Sequence, residues 1–172
     1  EHADAAEGWP AIYDRAYLQG NLAGGEGFDW FYASAADRVA QVRTPISDGA
    51  AGKPWVFRYK DLRAWWSNAH YDRPGGVESG TLTAWAPESK PIWFTELGCP
   101  AIDRGTNQPN VFFDPKSSES FTPHFSRGWR DDAIQRAYLE ATYLWWGVPA
   151  NNPVSSVYGG RMVHVPECAA WT

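Results

Sequence analysis

Residues 90–98 read KPIWFTELG, and this stretch decides the fold class that the sequence predicts. Lys90 to Glu96 is an apolar run bounded by a proline and a glycine, which is typical of a strand buried on both faces of a parallel sheet. The acid Glu96 ends this strand, and Leu97 and Gly98 form a turn after it. In barrel enzymes the strand ends are rigid and the loops beyond them shape the pocket. The stretch therefore predicts a parallel strand that ends in a functional carboxylate.

Helical and extended patterns alternate on both sides of this strand. We predict helices at 9–20, 29–42, 61–68 and 130–146, a brief strand at 54–59 and a last strand that begins at 167. The clearest helix, 130–146, has one apolar stripe formed by Ile134, Ala137, Tyr138, Ala141 and Trp145. Such alternation predicts a parallel α/β architecture. Two or three strands cannot bury so many aromatic rings, so we expect 1–172 to be a single partial domain of a larger α/β fold.

Composition narrows the classes of function. The chain has 172 residues, 44% of them hydrophobic, and a net charge of −5, which leaves no basic surface to attract nucleic acid or anionic membranes. It has no apolar run of the ~20 residues that a spanning helix needs, and its first residues are not those of a signal peptide. No spacing of cysteines and histidines predicts a metal site, and no motif predicts a cofactor. We expect Cys99 and Cys168 to be free thiols at opposite ends of neighbouring strands.

The acid Glu96 permits two interpretations. Glycoside hydrolysis needs two carboxylates, ~5 to 9.5 Å apart, and the sequence supplies one of them convincingly. In the alternative, Glu96 is a buried acid that pairs with Arg58 or Arg104. The eleven tryptophans are likewise open to two interpretations, a core of large rings or a cleft that stacks on sugars.

The stretch 90–120 and the later stretch PHFSRGWRDDAIQRAYLEA resemble the glycoside-hydrolase-like TIM-barrel domain of the large baseplate protein of gene transfer agents and related phage tails. GKPWVFRYKDLRAWWSN and YDRPGG belong to the same pattern. The resemblance implies the C-terminal portion of a (β/α)8 barrel, with 90–96 as the seventh strand and 167–172 opening the eighth. Mapped onto this family, Glu96 is the catalytic nucleophile, while the acid/base ends a fourth strand that the sequence lacks.

The resemblance implies a structural and host-adsorption domain of a tail or baseplate, assembled in the bacterial cytoplasm with other tail proteins and binding cell-surface glycan. The alternative is a retaining glycoside hydrolase that acts on capsule or peptidoglycan, although 1–172 alone would be inactive. We expect substrate binding by Trp171, Trp85, Arg58 and Asp103. We also expect Trp93 to face the helix layer, because it lies an odd number of residues from Glu96 and side chains alternate along a strand. A third interpretation is an α/β domain that binds no ligand and buries all its tryptophans in the core.

Overall fold

The computed structural model describes residues 7–171, which divide into two compact units. Within the described residues, unit 1 comprises 7–19, 92–152 and 163–171, and unit 2 comprises 20–91 and 153–162. The helices are α1 Arg15–Gly20, α2 Ala35–Ala40, α3 Leu62–Ser67 and α4 Asp132–Gly147. The strands are β1 Trp30–Phe31 and β2 Thr44–Pro45, and short 3-10 helices lie at Pro54–Val56, Pro74–Gly76, Gly105–Asn107 and Val165–Glu167.

Helix α4 organises unit 1 and confirms the predicted helix at 130–146. Its N-cap is Asp131, whose carboxylate accepts hydrogen bonds from the backbone N–H groups of Ala133 and Ile134. Ile134 and Ala141 are almost fully buried, as the apolar stripe predicted. The stripe is rotated slightly at its end, since Trp146 is buried while Trp145 is only partly so.

The stretch 92–97 runs parallel to 163–171 in unit 1. The N–H of Leu97 donates to the carbonyl of Ala169 at 2.9 Å, and the N–H of Trp171 donates to the carbonyl of Leu97 at 2.8 Å. This parallel pairing agrees with the predicted direction of the two segments. The expected burial on both faces is wrong: Trp93 is 55% exposed, and a bend at Thr95 and Glu96 interrupts the extended backbone.

A buried amide joins the end of α4 to the second of these segments. The Asn152 side chain is only 3% exposed as a residue, and its Nδ2 donates to the carbonyls of Trp146 and Val163 at 2.9 Å each. Its Oδ1 accepts from the N–H of Val163 at 2.8 Å. Asn152 therefore satisfies three backbone groups that would otherwise be buried without partners.

Unit 2 is organised around Trp66 on α3. This ring is 1% exposed, and its indole N–H donates to the carbonyl of Lys90 at 2.7 Å. Helix α3 begins after Asp61, whose carboxylate accepts from the N–H of Ala64, so the helix predicted at 61–68 is confirmed.

Two predictions in unit 2 are wrong. The stretch predicted as a strand at 54–59 begins with a 3-10 turn, because Pro54 stands at its first position and favours helical entry. The helix predicted at 29–42 shrinks to α2, because Ser34 caps it by accepting from the N–H of Asp37. Trp30 and Phe31 instead form β1, paired antiparallel with β2.

Candidate functional site

The Glu96 carboxylate lies exposed at the bend that ends the parallel segment of unit 1. Among residues 7–171 it forms no hydrogen bond or ion pair, so the predicted pairing with an arginine is not found. Arg58 pairs with Asp61 instead, at 3.6 Å, and Arg104 lies 3.8 Å from Asp103. Glu96 is therefore not a buried structural acid. Among the described residues it has none of the hydrogen-bond donors or cations that surround a nucleophilic carboxylate.

Trp171 lies beside the turn that follows Glu96. Besides its backbone bond to Leu97, it packs so closely on Gly98 that a Cβ there would lie 2.2 Å from the Trp171 carbonyl oxygen. A glycine is required at this position for the two segments to approach. Trp171 is partly exposed and its backbone pairs with Leu97, one residue after Glu96, while its role in binding sugar beside the carboxylate stays a prediction.

Cys99 and Trp93 lie three residues on either side of Glu96 in the sequence. Cys99 is fully buried, and burial raises the pKa of its thiol to about 12, so it does not line an open surface. Trp93 lies 6.2 Å from the ring of His164 and does not join the helix layer. The ring that meets α4 is Phe94, 6.0 Å from Trp146. The bend at Thr95 and Glu96 interrupts the alternation of side chains on which the expectation for Trp93 depended. Cys99 and Cys168 are both free thiols, as predicted.

Asp103, predicted to bind substrate, anchors a loop of unit 1. Its carboxylate accepts hydrogen bonds from the hydroxyl of Ser126 and from the backbone N–H groups of Arg127 and Trp129, at 2.9 to 3.2 Å. Burial raises the pKa of Asp103, but these hydrogen bonds and the nearby Arg104 outweigh it and leave the pKa below its usual value. With its oxygens engaged in this way, Asp103 shapes the loop.

Unit 2 contains a cleft of about 240 Å³ that the sequence did not predict as a site. It is lined by Lys53, Trp55, Val56, Trp65, Ala69, His70, Tyr71, Arg73, Glu78 and Thr83. His70 stands among three indole rings, with ring centroids 5.4 Å from Trp55, 4.9 Å from Trp65 and 5.6 Å from Trp85. We call Trp55, Trp65, His70 and Trp85 the aromatic cluster.

The two remaining predicted binding residues belong to unit 2. Trp85 packs on Trp65 with ring centroids 4.7 Å apart, so it supports the aromatic cluster without lining the cleft itself. Arg58 stacks over the ring of Phe28 at 5.1 Å, and its Nε is buried without a hydrogen-bond partner among the described residues. Neither Arg58 nor Trp85 belongs to the unit that contains Glu96.

A row of paired charges forms one wall of the cleft. The guanidinium of Arg73 donates to Asp48 at 2.8 Å and to Glu78 at 2.9 Å, and Lys53 donates to Glu78 at 2.5 Å. Lys53 also lies 4.0 Å from the centroid of the Tyr71 ring. The hydrogen bond from Arg73 lowers the pKa of Asp48, and the one from Lys53 lowers the pKa of Glu78. These four residues, Asp48, Arg73, Glu78 and Lys53, are the ionic row.

Comparison with known families bears on the whole chain. A protein-family model described as "GTA TIM-barrel-like domain" matches residues 1–172. The chain belongs to this family. A search of curated proteins found no match. The family's description, a TIM-barrel-like domain related to gene transfer agents, agrees with the coarser part of the resemblance.

Neither a membrane-spanning helix nor a metal site is found among the described residues of this GTA TIM-barrel-like domain. Within residues 7–171, no helix is long and apolar enough to cross a membrane. Nor do the described His, Cys, Asp and Glu side chains form any group of three or more that could hold a metal ion. The aromatic cluster was missed because its members are spaced irregularly between 55 and 85, with neither a helical nor a strand period. The signal that could have found it is the density of rings in PWVFRYKDLRAWWSNAHY, residues 54–71.

Proposed function

We propose that the chain is a structural and host-adsorption domain of a gene-transfer-agent tail or baseplate, and that it binds carbohydrate on the cell surface. The observation that supports binding is the cleft of unit 2, where tryptophan rings meet a wall of polar groups. Aromatic faces cover the apolar C–H faces of sugars, while polar groups at the edges fix their hydroxyls. Membership of the GTA TIM-barrel-like family supports the tail location and partnership with other tail proteins.

Adsorption is tested with the fluorescently labelled chain and whole bacterial cells. We expect the chain to bind cells, and periodate oxidation of the surface polysaccharide to abolish this binding. Protease treatment of the cells should leave it intact. Loss of binding after protease but not after periodate would mean that the receptor is a protein, and absence of binding to all cells would contradict adsorption.

A second candidate is the retaining glycoside hydrolase, in which the chain is the C-terminal portion of a glycoside-hydrolase-like barrel. It is favoured by the exposed position of Glu96 at the end of a parallel segment, next in sequence to Leu97, whose carbonyl bonds to Trp171. In a protein that contains the complete barrel, Glu96→Gln keeps the size and removes the charge, so hydrolysis of peptidoglycan or capsule should fall at least 100-fold. Glu119→Gln, in an exposed loop of unit 1, is the matched control. Equal turnover in all three proteins would exclude Glu96 as the nucleophile.

A further inference from the structure

We infer that the cleft of unit 2 binds one ring of a neutral hexose polymer, stacked on Trp65, and selects against acidic sugars. This inference rests on the proposed function and names the class of glycan. It follows from three properties of the cleft: an exposed aromatic face, uncharged hydrogen-bonding groups and cations that are already paired.

Trp65 provides the exposed aromatic face of the cleft. Trp65 is 43% exposed, although its ring is supported by Trp85 at 4.7 Å and by His70 at 4.9 Å. A large ring that is held rigid from one side and open on the other is a platform for a flat apolar surface. The space at the centre of the three indoles is occupied by the His70 imidazole. The cluster is therefore a stacking surface and cannot act as an aromatic cage around a quaternary ammonium ion.

His70 and Thr83 provide the uncharged hydrogen-bonding groups of the cleft. The Nε2 of His70 lies 2.7 Å from the carbonyl oxygen of Trp65, which can only accept, so Nε2 bears the hydrogen. In the neutral imidazole Nδ1 is then an acceptor, and it has no partner among the described residues. The Thr83 hydroxyl, which accepts from the N–H of Trp85 at 3.3 Å, keeps its own hydrogen to donate. One acceptor and one donor at a cleft lined by rings match the hydroxyls of a sugar.

The ionic row supplies the selectivity. Two cations, Lys53 and Arg73, are balanced by two carboxylates, Asp48 and Glu78, at 2.5 to 2.9 Å. A uronate or phosphate in the cleft would have to displace Glu78 from its partners and then lie beside that displaced charge. A neutral sugar ring does not displace Glu78 from its partners. At about 240 Å³ the cleft is smaller than the ~300–1,000 Å³ of sites that enclose drug-sized ligands, so it fits one ring of a polymer.

The test measures binding of the full chain to neutral and acidic oligosaccharides by isothermal titration calorimetry. The neutral probes are cellohexaose, laminarihexaose and mannohexaose, and the acidic probe is hexagalacturonate. We expect at least one neutral probe to bind at least tenfold more tightly than hexagalacturonate. The inference is overturned if no neutral probe binds, or if hexagalacturonate binds as tightly as the best of them.

Variants locate the site. Trp65→Ala should lower the affinity for the neutral probe at least tenfold. Trp65→Phe, which keeps a ring, should lower it less. Trp129→Ala is the matched control, since Trp129 is a 62% exposed tryptophan of unit 1. Equal losses in Trp65→Ala and Trp129→Ala, with thermal unfolding unchanged, would place the sugar elsewhere and refute the assignment.

Glu78→Gln tests the selectivity without removing a ring. It leaves the ionic row with an excess positive charge, so hexagalacturonate should gain at least fivefold in affinity while the neutral probe changes little. An unchanged affinity for hexagalacturonate would show that the ionic row does not set the preference for neutral sugars.

The outcomes for cells and for oligosaccharides distinguish the sugar site from adsorption. If the neutral probe binds as expected but the chain fails to bind cells, the proposed adsorption is wrong and the sugar site stands. If cells bind and Trp65→Ala binds them equally, the sugar site is wrong and adsorption stands.

Discussion

A buried neutral amide in unit 1 and a set of charged groups in unit 2 should respond differently to pH. In unit 1 a neutral amide, Asn152, satisfies three buried backbone groups next to a core of aliphatic and aromatic side chains. In unit 2 the polar groups are charged: the ionic row forms a wall of the cleft, and Lys60 is largely buried near Glu26 and Asp29. A neutral anchor does not respond to pH, whereas charged ones do. A change of pH should therefore alter the charged contacts of the unit that contains the proposed sugar site, while the Asn152 anchor of unit 1 stays unchanged.

The largest expected effect lies in unit 1. Asn152→Ala removes three hydrogen bonds and leaves buried backbone groups of Trp146 and Val163 without partners, so the free energy of unfolding should fall by about 3 kcal/mol. Asn151→Ala is the matched control, because its more exposed side chain donates only to the carbonyl of Trp145 and should cost about 1 kcal/mol. Urea unfolding measures both. Similar losses would mean that the buried amide is not the anchor.

The next effect concerns alkaline stability and Lys60. Burial lowers the pKa of Lys60 to about 8 from an ordinary value of 10.5, although Glu26 and Asp29 favour the charged form. Between these values the unfolded chain binds the extra proton, so this lysine makes the free energy of unfolding rise with pH from about 8 to 10.5. Lys60→Met removes that rise. Wild type should gain on the order of 2 kcal/mol relative to the variant between pH 7 and pH 10.

The control for this experiment is Lys116→Met, which changes an exposed lysine of unit 1. Its stability should run parallel to that of wild type across the same range. A constant difference between wild type and Lys60→Met would show that Lys60 is solvated, and unit 2 would then be less sensitive to alkali than we infer.

A smaller effect is expected in acid. The pKa values of Asp48 and Glu78 are lowered by their cationic partners. Their stabilisation is therefore complete above the ordinary values of 3.8 for Asp and 4.5 for Glu, and it is lost as pH falls through the lowered values. Asp48→Asn should therefore lose less stability than wild type between pH 6 and pH 3 in urea unfolding. Asp72→Asn, an exposed acid of the same unit, should follow wild type. An identical loss of stability in all three proteins would show that the ionic row does not make unit 2 sensitive to acid.

Local patterns predicted helices better than they predicted contacts. Helix α4 is long enough for its 3.6-residue period to be unambiguous, and its capping acid is part of the pattern. The apolar run before Glu96 gave the correct parallel direction but the wrong burial, because such a run does not show whether other segments cover both of its faces. The start of α2 was placed too early because Asp29 looked like a cap, whereas its carboxylate accepts from the N–H of Gly25. Ser34 caps the helix instead.

The candidate site was predicted only in part for a similar reason. Glu96 and Trp171 are close to one parallel pairing, so reasoning about neighbouring strands was enough to associate them. The cleft of unit 2 depends on residues from Lys53 to Thr83 that meet through loops and turns. Neither helical nor strand periodicity describes such a segment, and the pairing of Arg73 with Asp48 spans 25 residues. No local signal in the sequence specifies that contact.

The close approach of Trp65 and Trp85 has an optical consequence. Two indoles whose centroids are 4.7 Å apart and whose planes are inclined at 39° couple their excited states, and such coupling splits the far-ultraviolet circular dichroism into a pair of bands of opposite sign. These bands overlap the helical signal near 222 nm, so helix content read at that wavelength would be distorted. The same bands provide a spectroscopic marker of the aromatic cluster that would disappear in Trp85→Phe while the backbone signal remained.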